Sequence, residues 1–499
     1  MNVEPATTVP FDPASPDQFA REALQRGDEG RALPWFVQAL EKAPTARLWQ
    51  WKALLERSLD DNQAALASFA EAVRLDPNNV SIAHGRARAA MEAGLDAQAL
   101  YEQARQLAPQ NGQILIGLAA ARAAAGKSEQ GVAELQTALN QSPMWLPGYE
   151  HLAQLMATSG RADEATVALD RAIERAPKAA ALWETLLNLQ LRRGAYQTLS
   201  EIVDRAEAAG ASSHEFAIYR AIYAAEFDPE TYPDDLFRNA PSGATAALGR
   251  WRIRHLLRAG AIDDVLPLID RELRGDQTGE IWAYASTAWR LAGDPRSEWL
   301  EGNPGLVSVS DITDLLPPLD QLAATLRSLH NAKGEYLDQS VRGGTQTDGP
   351  LFSRIDPVIR QLRQAIVTAV ERHVAQLPPI DPRHPTLRHP RDRKIRFSGS
   401  WSVRLRSGGR HSNHVHPLGW ISSALYISLP PKQPAAPADA GWLTLGAPDE
   451  NLGVILAPHR KIEPKVGQLA LFPSSMWHGT VPFDEGERLT VAFDVAPPK

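Results

Sequence analysis

Small and bulky apolar positions recur in a fixed order through the first half of the chain. A small residue is followed four positions later by a bulky one and, three positions after that, by alanine. The i, i+4, i+7 spacing puts all three on one face of a helix, and a proline five positions further on ends that helix. Five units carry this order: Ala32/Phe36/Ala39, Ala65/Phe69/Ala72, Ala97/Tyr101/Ala104, Gly131/Leu135/Ala138 and Ala165/Leu169/Ala172. The pattern predicts helices that approach one another closely through small residues.

The prolines that close these units are evenly spaced. Pro44, Pro77, Pro109, Pro143 and Pro177 lie 33, 32, 34 and 34 positions apart. A single helical pair of this length cannot bury its own apolar face, so such units stack into a solenoid with a concave groove. The units resemble tetratricopeptide repeats through the motif A-x3-F-x2-A-x4-P. This resemblance implies that the groove binds a protein or peptide; a packing or dimerisation scaffold is the alternative.

The pattern of the chain changes near residue 301. Before it, the helical pattern continues without the closing proline. After it, EGNPGLVSVSDITDLLPPLD marks a boundary, and one or two helices follow. From residue 395, short alternating runs such as WISSALYISLP and RLTVAFDVA predict an antiparallel β unit, either a sandwich or a jelly roll. The stretch 430–441, PPKQPAAPADAG, is predicted to be a long flexible connection between strands.

We therefore predict a multidomain α + β chain, with an all-α tetratricopeptide-type solenoid followed by a double-stranded β-helix (jelly-roll) domain with flanking helices. The predicted parts are an extended or disordered N-terminus at 1–20, tetratricopeptide repeats at 21–180, divergent helical repeats at 181–300, a linker and helix at 301–350, and the jelly-roll domain at 351–499.

Composition narrows the classes of partner and of chemistry. A net charge of −7 gives no general attraction to nucleic acid or to anionic membranes. The chain has no cysteine, which excludes disulfides, thiolate-bound zinc, iron–sulfur clusters and a cysteine nucleophile, so any metal must bind nitrogen and oxygen ligands. The N-terminus does not resemble a secretory signal and no apolar run approaches 18 residues. We expect a cytoplasmic protein.

Three histidines cluster in RHSNHVHPLGW, residues 410–420. If strand geometry continues through HVHPLGWISS, His414 and His416 face one cavity while Val415 faces away, which suits a metal chelate. A third ligand must come from elsewhere, and His478, which follows an apolar strand 64 positions after His414, is the candidate. His411 is predicted to lie in a loop or to hydrogen-bond a ligand.

A cationic residue accompanies the histidines. Arg488 lies ten positions after His478, and in the strand RLTVAFDV it shares one face with Thr490 and Ala492. A lone arginine that faces a cavity is costly unless an anion pairs with it. The arrangement predicts a carboxylate ligand.

Together, H-x-H, a distant histidine and an arginine ten positions later resemble the iron(II)/2-oxoglutarate-dependent oxygenases, whose jelly-roll core carries H-x-D/E, a distal histidine and, in the prolyl-hydroxylase-like branch, a basic residue ten positions on. Residues 320–499 are similar to a bacterial family of such oxygenases. The resemblance implies that His414, His416 and His478 bind Fe(II). It also implies that dioxygen is consumed and that a substrate is hydroxylated as 2-oxoglutarate is decarboxylated.

The resemblance also implies how the cosubstrate is held. Arg488 with Thr490 would bind the distal carboxylate of 2-oxoglutarate, and Tyr426 is a further candidate contact. His416 departs from the family pattern, since it stands where an aspartate or glutamate is expected. Three imidazoles can occupy one face of an octahedron and leave three positions open. Alternatively, only His414 and His478 bind the metal and His416 hydrogen-bonds to one of its ligands.

Further polar residues leave alternatives open. Asn413 either caps the turn or contacts substrate. Trp401, Arg404 and Arg406 lie along one predicted strand, where they either line the substrate entrance or serve packing and solvent exposure. Arg342 and Gln346 lie in a polar stretch that either closes over the site or has no role there. Histidines 384 and 389 lack partners in strand phase and are not assigned to metal.

Three functions remain open on the sequence. The leading hypothesis is an oxygenase whose repeats recruit a protein substrate or partner. The second is a non-catalytic tetratricopeptide adaptor with a degenerate cupin-like domain, and the third is a three-histidine dioxygenase that does not use 2-oxoglutarate.

Overall fold

The computed structural model describes residues 15–227, 245–276, 279–337, 339–432 and 436–498. Two compact units divide the chain. One comprises Met1–Ala121, Phe352–Pro357 and Pro498–Lys499, and the other comprises Arg122–Leu351 and Val358–Pro497.

The first unit is built from antiparallel helices in pairs. Their bounds are α1 (Pro16–Arg26), α2 (Glu29–Lys42), α3 (Ala46–Ser58), α4 (Asn62–Leu75), α5 (Val80–Glu92) and α6 (Gln98–Leu107), with α7 (Gly112–Ala124) at its end. Each closing proline follows a helix end, so the predicted repeats are confirmed here. The prediction of an extended N-terminus is wrong from Pro16 onward, because the Ser15 side chain caps α1 by accepting from the Gln18 backbone N–H. Residues 1–14 lie outside the described residues.

Bulky residues of one repeat pack against small residues of the next. Tyr101 on α6 is 3% exposed, and a Cβ added at Gly117 on α7 would lie 2.1 Å from its ring. Likewise, a Cβ added at Gly85 on α5 would lie 2.7 Å from the ring of Phe69 on α4. The apolar order read from the sequence therefore sets the distance between successive helices.

Gly117→Ala is expected to destabilise the protein despite the better helix propensity of alanine. The propensity gain is at most about 1 kcal/mol, whereas overpacking against a buried ring costs about 1–3 kcal/mol. Chemical denaturation should show a lower free energy of unfolding for this variant than for Ala124→Val, which adds apolar volume at an exposed position of the same helix. Equal stability of the two variants would contradict this packing.

Helices continue into the second unit well past Pro177, through the described part of the range in which divergent helical repeats are predicted. They are α8 (Ser128–Gln141), α9 (Leu146–Thr158), α10 (Val167–Arg175), α11 (Ala180–Arg192), α12 (Leu199–Ala208), α13 (Phe216–Phe227), α14 (Thr245–Arg258), α15 (Ile262–Gly275) and α16 (Ile281–Ala292). Across the ranges that the structure describes, no helix has both the length and the apolar character needed to cross a bilayer.

The second unit ends in an antiparallel β domain of two sheets, accompanied by α17 (Leu319–Ser328) and α18 (Pro357–Gln376). The strands are β1 (Ser308–Asp311), β2 (Val341–Gln346), β3 (Phe397–His411), β4 (Ile421–Ser428), β5 (Leu443–Leu445), β6 (Arg460–Ile462), β7 (Gln468–Pro473), β8 (His478–Thr480) and β9 (Arg488–Val495). The larger sheet has the order β1-β7-β4-β9-β3-β2 and the smaller one β6-β5-β8. This architecture confirms the predicted α solenoid followed by a jelly-roll type β domain.

Residues 301–350 differ from the predicted linker and helix, because they supply both edge strands of the larger sheet. β1 pairs with β7, with Ser308 opposite Leu471, and β2 pairs with β3, with Val341 opposite His411. Short edge strands need no continuous apolar face, so β2 reads in the sequence as a polar glycine-bearing loop. Part of the predicted 430–441 connection, residues 433–435, lies outside the described residues.

Candidate metal and anion site

Backbone pairing brings two distant histidines opposite each other. His414 forms an antiparallel bridge with His478, the first residue of β8, through N···O distances of 2.9 and 3.0 Å. The chain turns after His416, whose backbone N–H donates to the Ser474 carbonyl at 3.0 Å. Regular strand geometry therefore does not continue to Trp420 as predicted, but the bridge keeps the register that the site needs.

The three predicted ligands gather in one place. One ring nitrogen of each of His414, His416 and His478 lies within 4.8 Å of the others. The ring centroids are 4.2 Å apart for His414 and His478, 4.9 Å for His414 and His416, and 5.1 Å for His416 and His478. Val415 turns the other way, into an apolar cluster that includes Trp477. The predicted alternation is present.

Hydrogen bonds fix the same tautomer in all three rings. His414 Nδ1 lies 2.8 Å from the Ser412 carbonyl oxygen and His478 Nδ1 lies 2.9 Å from that of Met476. His416 Nδ1 lies 2.7 Å from Asp494 Oδ2. Carbonyl and carboxylate oxygens only accept, so each Nδ1 carries the proton and each Nε2 keeps a lone pair for a metal.

Burial keeps the rings of His414 and His478 in the form that binds metal. It holds the pKa of His414 and of His478 well below the ordinary histidine value, and it lowers the pKa of neighbouring His411 to about 3. These three rings are therefore neutral at physiological pH. Neutral imidazoles suit iron, zinc, copper and nickel, so the residues fit a transition metal.

A buried cation faces the same cavity. Arg488, the first residue of β9, is 3% exposed, and its Nε and Nη1 have no hydrogen-bond partner within the ranges the structure describes. No ion pair joins Arg488 to a carboxylate among those residues, and burial lowers the pKa of its guanidinium. Because an unpaired buried cation is costly, the site is suited to an anionic ligand.

Two residues surround the guanidinium. Thr490, predicted on the same face, lines the cavity together with Arg488. Tyr426 on β4 is fully buried, and the centre of its ring lies 5.1 Å from the Arg488 Cζ. Its hydroxyl forms no hydrogen bond of acceptable geometry with a described residue. Tyr426 is not among the residues that line the cavity, so the structure places it against the arginine, and a direct contact with a cosubstrate stays a prediction.

The cavity holds about 570 Å³ of empty space, part of which is open to solvent. Besides the histidines and Arg488, its described lining includes His411, Trp401 and Gln346. The ring of Trp401 stacks on that of His416 at 5.5 Å. His411 Nδ1 and His414 Nε2 both lie 3.1 Å from the Ser340 hydroxyl. Among the residues whose roles the sequence left open, His411, Trp401 and Gln346 line this cavity.

Other residues with open roles point elsewhere. Asn413 donates to the Pro448 carbonyl at 3.1 Å, Arg342 donates to backbone carbonyls beside it, and Arg404 pairs with Glu487. Arg406 is exposed. His384 is buried against the Leu300 carbonyl and His389 packs edge-on to Trp420, so neither belongs to the histidine cluster.

One site residue was missed in the sequence. Asp494 lines the cavity, is 6% exposed and bonds to His416. The signal was present, because Asp494 has the same strand phase as Arg488, Thr490 and Ala492 and is the only acidic residue of β9.

Helix α16 supports the ligand-bearing segments from outside the β domain. Trp477 precedes His478 and is 4% exposed; its Nε1–H lies 3.0 Å from the Ala283 carbonyl oxygen and 3.1 Å from the Thr287 hydroxyl. Its ring packs edge-on to Tyr284 at 5.5 Å. Val415 joins the same cluster. The segments that carry the three candidate ligands are thus anchored on the helical part of their unit.

Comparison with known proteins agrees with this arrangement. The family model described as "Putative 2OG-Fe(II) oxygenase" matches residues 399–494, and a tetratricopeptide repeat model matches residues 46–79. No curated protein matches the chain.

Several solved structures are similar to parts of the chain. The crystal structure of MamA is 15% identical, covering 34% of this chain and 99% of that one, with a TM-score of 0.29. A thermophilic TPR protein of Thermus thermophilus, TTC0263, is 22% identical over 34% of this chain and 94% of its own, with a TM-score of 0.27. A prolyl-4-hydroxylase of Pseudomonas putida is 19% identical over 38% and 92%, with a TM-score of 0.26.

The family matches cover the repeat α3–α4 and the cavity-bearing strands from β3 to β9, where the histidine cluster and Arg488 lie. The chain therefore carries a tetratricopeptide repeat at 46–79 and, at 399–494, a domain that matches the family described as "Putative 2OG-Fe(II) oxygenase".

Proposed function

We propose that the β domain is an iron(II)- and 2-oxoglutarate-dependent hydroxylase, and that the helical repeats recruit a protein substrate or partner in the cytoplasm. The observation that carries the proposal is Arg488, a buried guanidinium without a described anionic partner, in one cavity with three clustered histidines. A purely structural domain has no need for both features, because each is costly to bury unless a ligand is bound.

The chain's own groups would divide the work. His414, His416 and His478 would hold the metal through Nε2, with each ring oriented by its Nδ1–H bond. Arg488 and Thr490 would hold the distal carboxylate of 2-oxoglutarate. The bound metal and cosubstrate supply the oxidation: dioxygen and 2-oxoglutarate become succinate and carbon dioxide while one oxygen atom enters a substrate C–H bond.

The histidine set favours a second candidate. Because the candidate metal cluster contains three histidines and no carboxylate, a three-histidine dioxygenase that does not use 2-oxoglutarate has a claim on the same residues. Arg488 argues against it, since that reaction leaves the buried cation without an anion.

Turnover of the cosubstrate separates the candidates. With Fe(II) and dioxygen, the wild-type protein should release succinate from 2-oxoglutarate slowly even without its substrate, and His478→Ala should release none. His214→Ala, which removes an exposed histidine of the helical region, is the matched control and should behave as wild type. Iron binding without succinate formation would favour the three-histidine dioxygenase, and absence of both would favour the adaptor.

A further inference from the structure

We infer that Asp494 is a positioning residue that supplies, from behind His416, the negative charge which the three histidines do not give the metal. The inference rests on the proposed metal site and names a residue to which that proposal assigns no role. Asp494 is the only acidic side chain among the described residues that line the cavity.

The carboxylate is held from both sides. Its Oδ2 lies 2.7 Å from His416 Nδ1, and its Oδ1 accepts from the Ser422 hydroxyl at 2.6 Å. Ser422 lies 2.9 Å from the Ser474 hydroxyl, which continues the chain of hydrogen bonds. Since one oxygen is tied to Ser422 and the other faces the ring, the orientation of the carboxylate sets that of the imidazole.

His416 differs from the other two proposed ligands in the group that its Nδ1–H contacts. The Nδ1–H groups of His414 and His478 donate to backbone carbonyls, whereas that of His416 donates to a charged side chain. A carboxylate behind an imidazole raises the basicity of the ring and strengthens its bond to a cation. A divalent ion on three neutral rings would therefore gain most of its local charge compensation from Asp494.

The same contact explains why Asp494 is tolerated in the interior. The hydrogen bonds from Ser422 and His416 offset only part of the cost of burying this carboxylate. A cation on the far side of the His416 ring lowers that cost, so metal and carboxylate should stabilise each other. A hydroxyl or amide would serve a merely structural role equally well.

Asp494→Asn should weaken binding of Co(II), measured by the visible absorption of the bound ion, by about tenfold to a hundredfold. The amide has nearly the shape of the carboxylate and still accepts from Nδ1, so the variant should fold. Ser422→Ala should weaken binding in the same direction but less. Asp439→Asn, which removes a carboxylate that pairs with Lys461 near the surface, should leave Co(II) affinity unchanged.

A double-variant cycle distinguishes charge supply from packing. In His416→Asp, the new carboxylate can bind the metal directly and supply the negative charge, whereas Asp494 loses the imidazole ring through which it acts. Asp494→Asn should then weaken Co(II) binding by clearly less than it does when His416 is present. A purely structural role of Asp494 would give equal losses of affinity in both backgrounds.

The outcomes separate this inference from the proposed function. A large loss of Co(II) affinity on Asp494→Asn when His416 is present, and a small one in His416→Asp, supports it. If wild type binds Co(II) and Asp494→Asn binds it equally well, the inference is overturned and the metal site stands. If wild type binds no Co(II), both are overturned.

Discussion

Arg488→Met is expected to abolish tight binding of 2-oxoglutarate while metal binding persists. Methionine has a similar volume but no charge, and losing one partner of a buried hydrogen-bonded charge pair costs about 2–5 kcal/mol. The Kd for 2-oxoglutarate should therefore rise by roughly 30-fold to several thousand-fold, as measured by calorimetric titration of the Mn(II)-loaded protein.

The same substitution should not lower the thermal stability of the protein without ligands. Wild type buries a guanidinium whose Nε and Nη1 have no described partner, so its removal should leave the melting temperature unchanged or raise it. The rise in melting temperature on adding 2-oxoglutarate should disappear. Arg404→Met is the matched control, because Arg404 lies on the adjacent strand and pairs with Glu487. Unchanged affinity in Arg488→Met would refute the anchor.

Trp477→Ala is expected to damage stability and metal binding together. Truncating a buried tryptophan costs about 3–5 kcal/mol, and here it also frees the segment before His478 from Ala283 and Thr287 on α16. We expect the folded variant to bind Co(II) at least about tenfold more weakly, in line with the cost of losing support around a metal ligand. Titration of Co(II) after confirming the folded state by circular dichroism gives the value.

Trp183→Ala provides a close control for this variant. Trp183 on α11 is 3% exposed, and its Nε1–H donates to the Pro177 carbonyl at 2.9 Å. It should lose comparable stability and keep the Co(II) affinity of wild type. Equal loss of affinity in both variants would mean that general destabilisation, and not the anchor on α16, weakens the site.

Much of this organisation could be predicted because it depends on local periodicity. The order of small and bulky residues fixes how α6 packs on α7, and the closing prolines fix where helices end. The phases of His414, Val415 and Arg488 follow from the two-residue repeat of a strand, which requires no knowledge of tertiary contacts.

The remainder depends on contacts between distant parts of the chain. The pairing of β1 with β7 and of β2 with β3 has no apolar signature, since edge strands are short and polar. No periodic signal links Trp477 to Thr287, 190 positions away. Asp494 was readable by phase, but its contact with His416 depends on β4 and β9 lying side by side.

The charge-transfer absorption of the anaerobic protein with Fe(II) and 2-oxoglutarate tests the central claim most directly. We predict a weak visible band in wild type and in His214→Ala, and its loss in His414→Ala and in Arg488→Met for different reasons: the first variant should bind iron weakly, while the second should bind iron without the cosubstrate. A wild-type protein that binds Fe(II) and shows no band on adding 2-oxoglutarate would contradict the account.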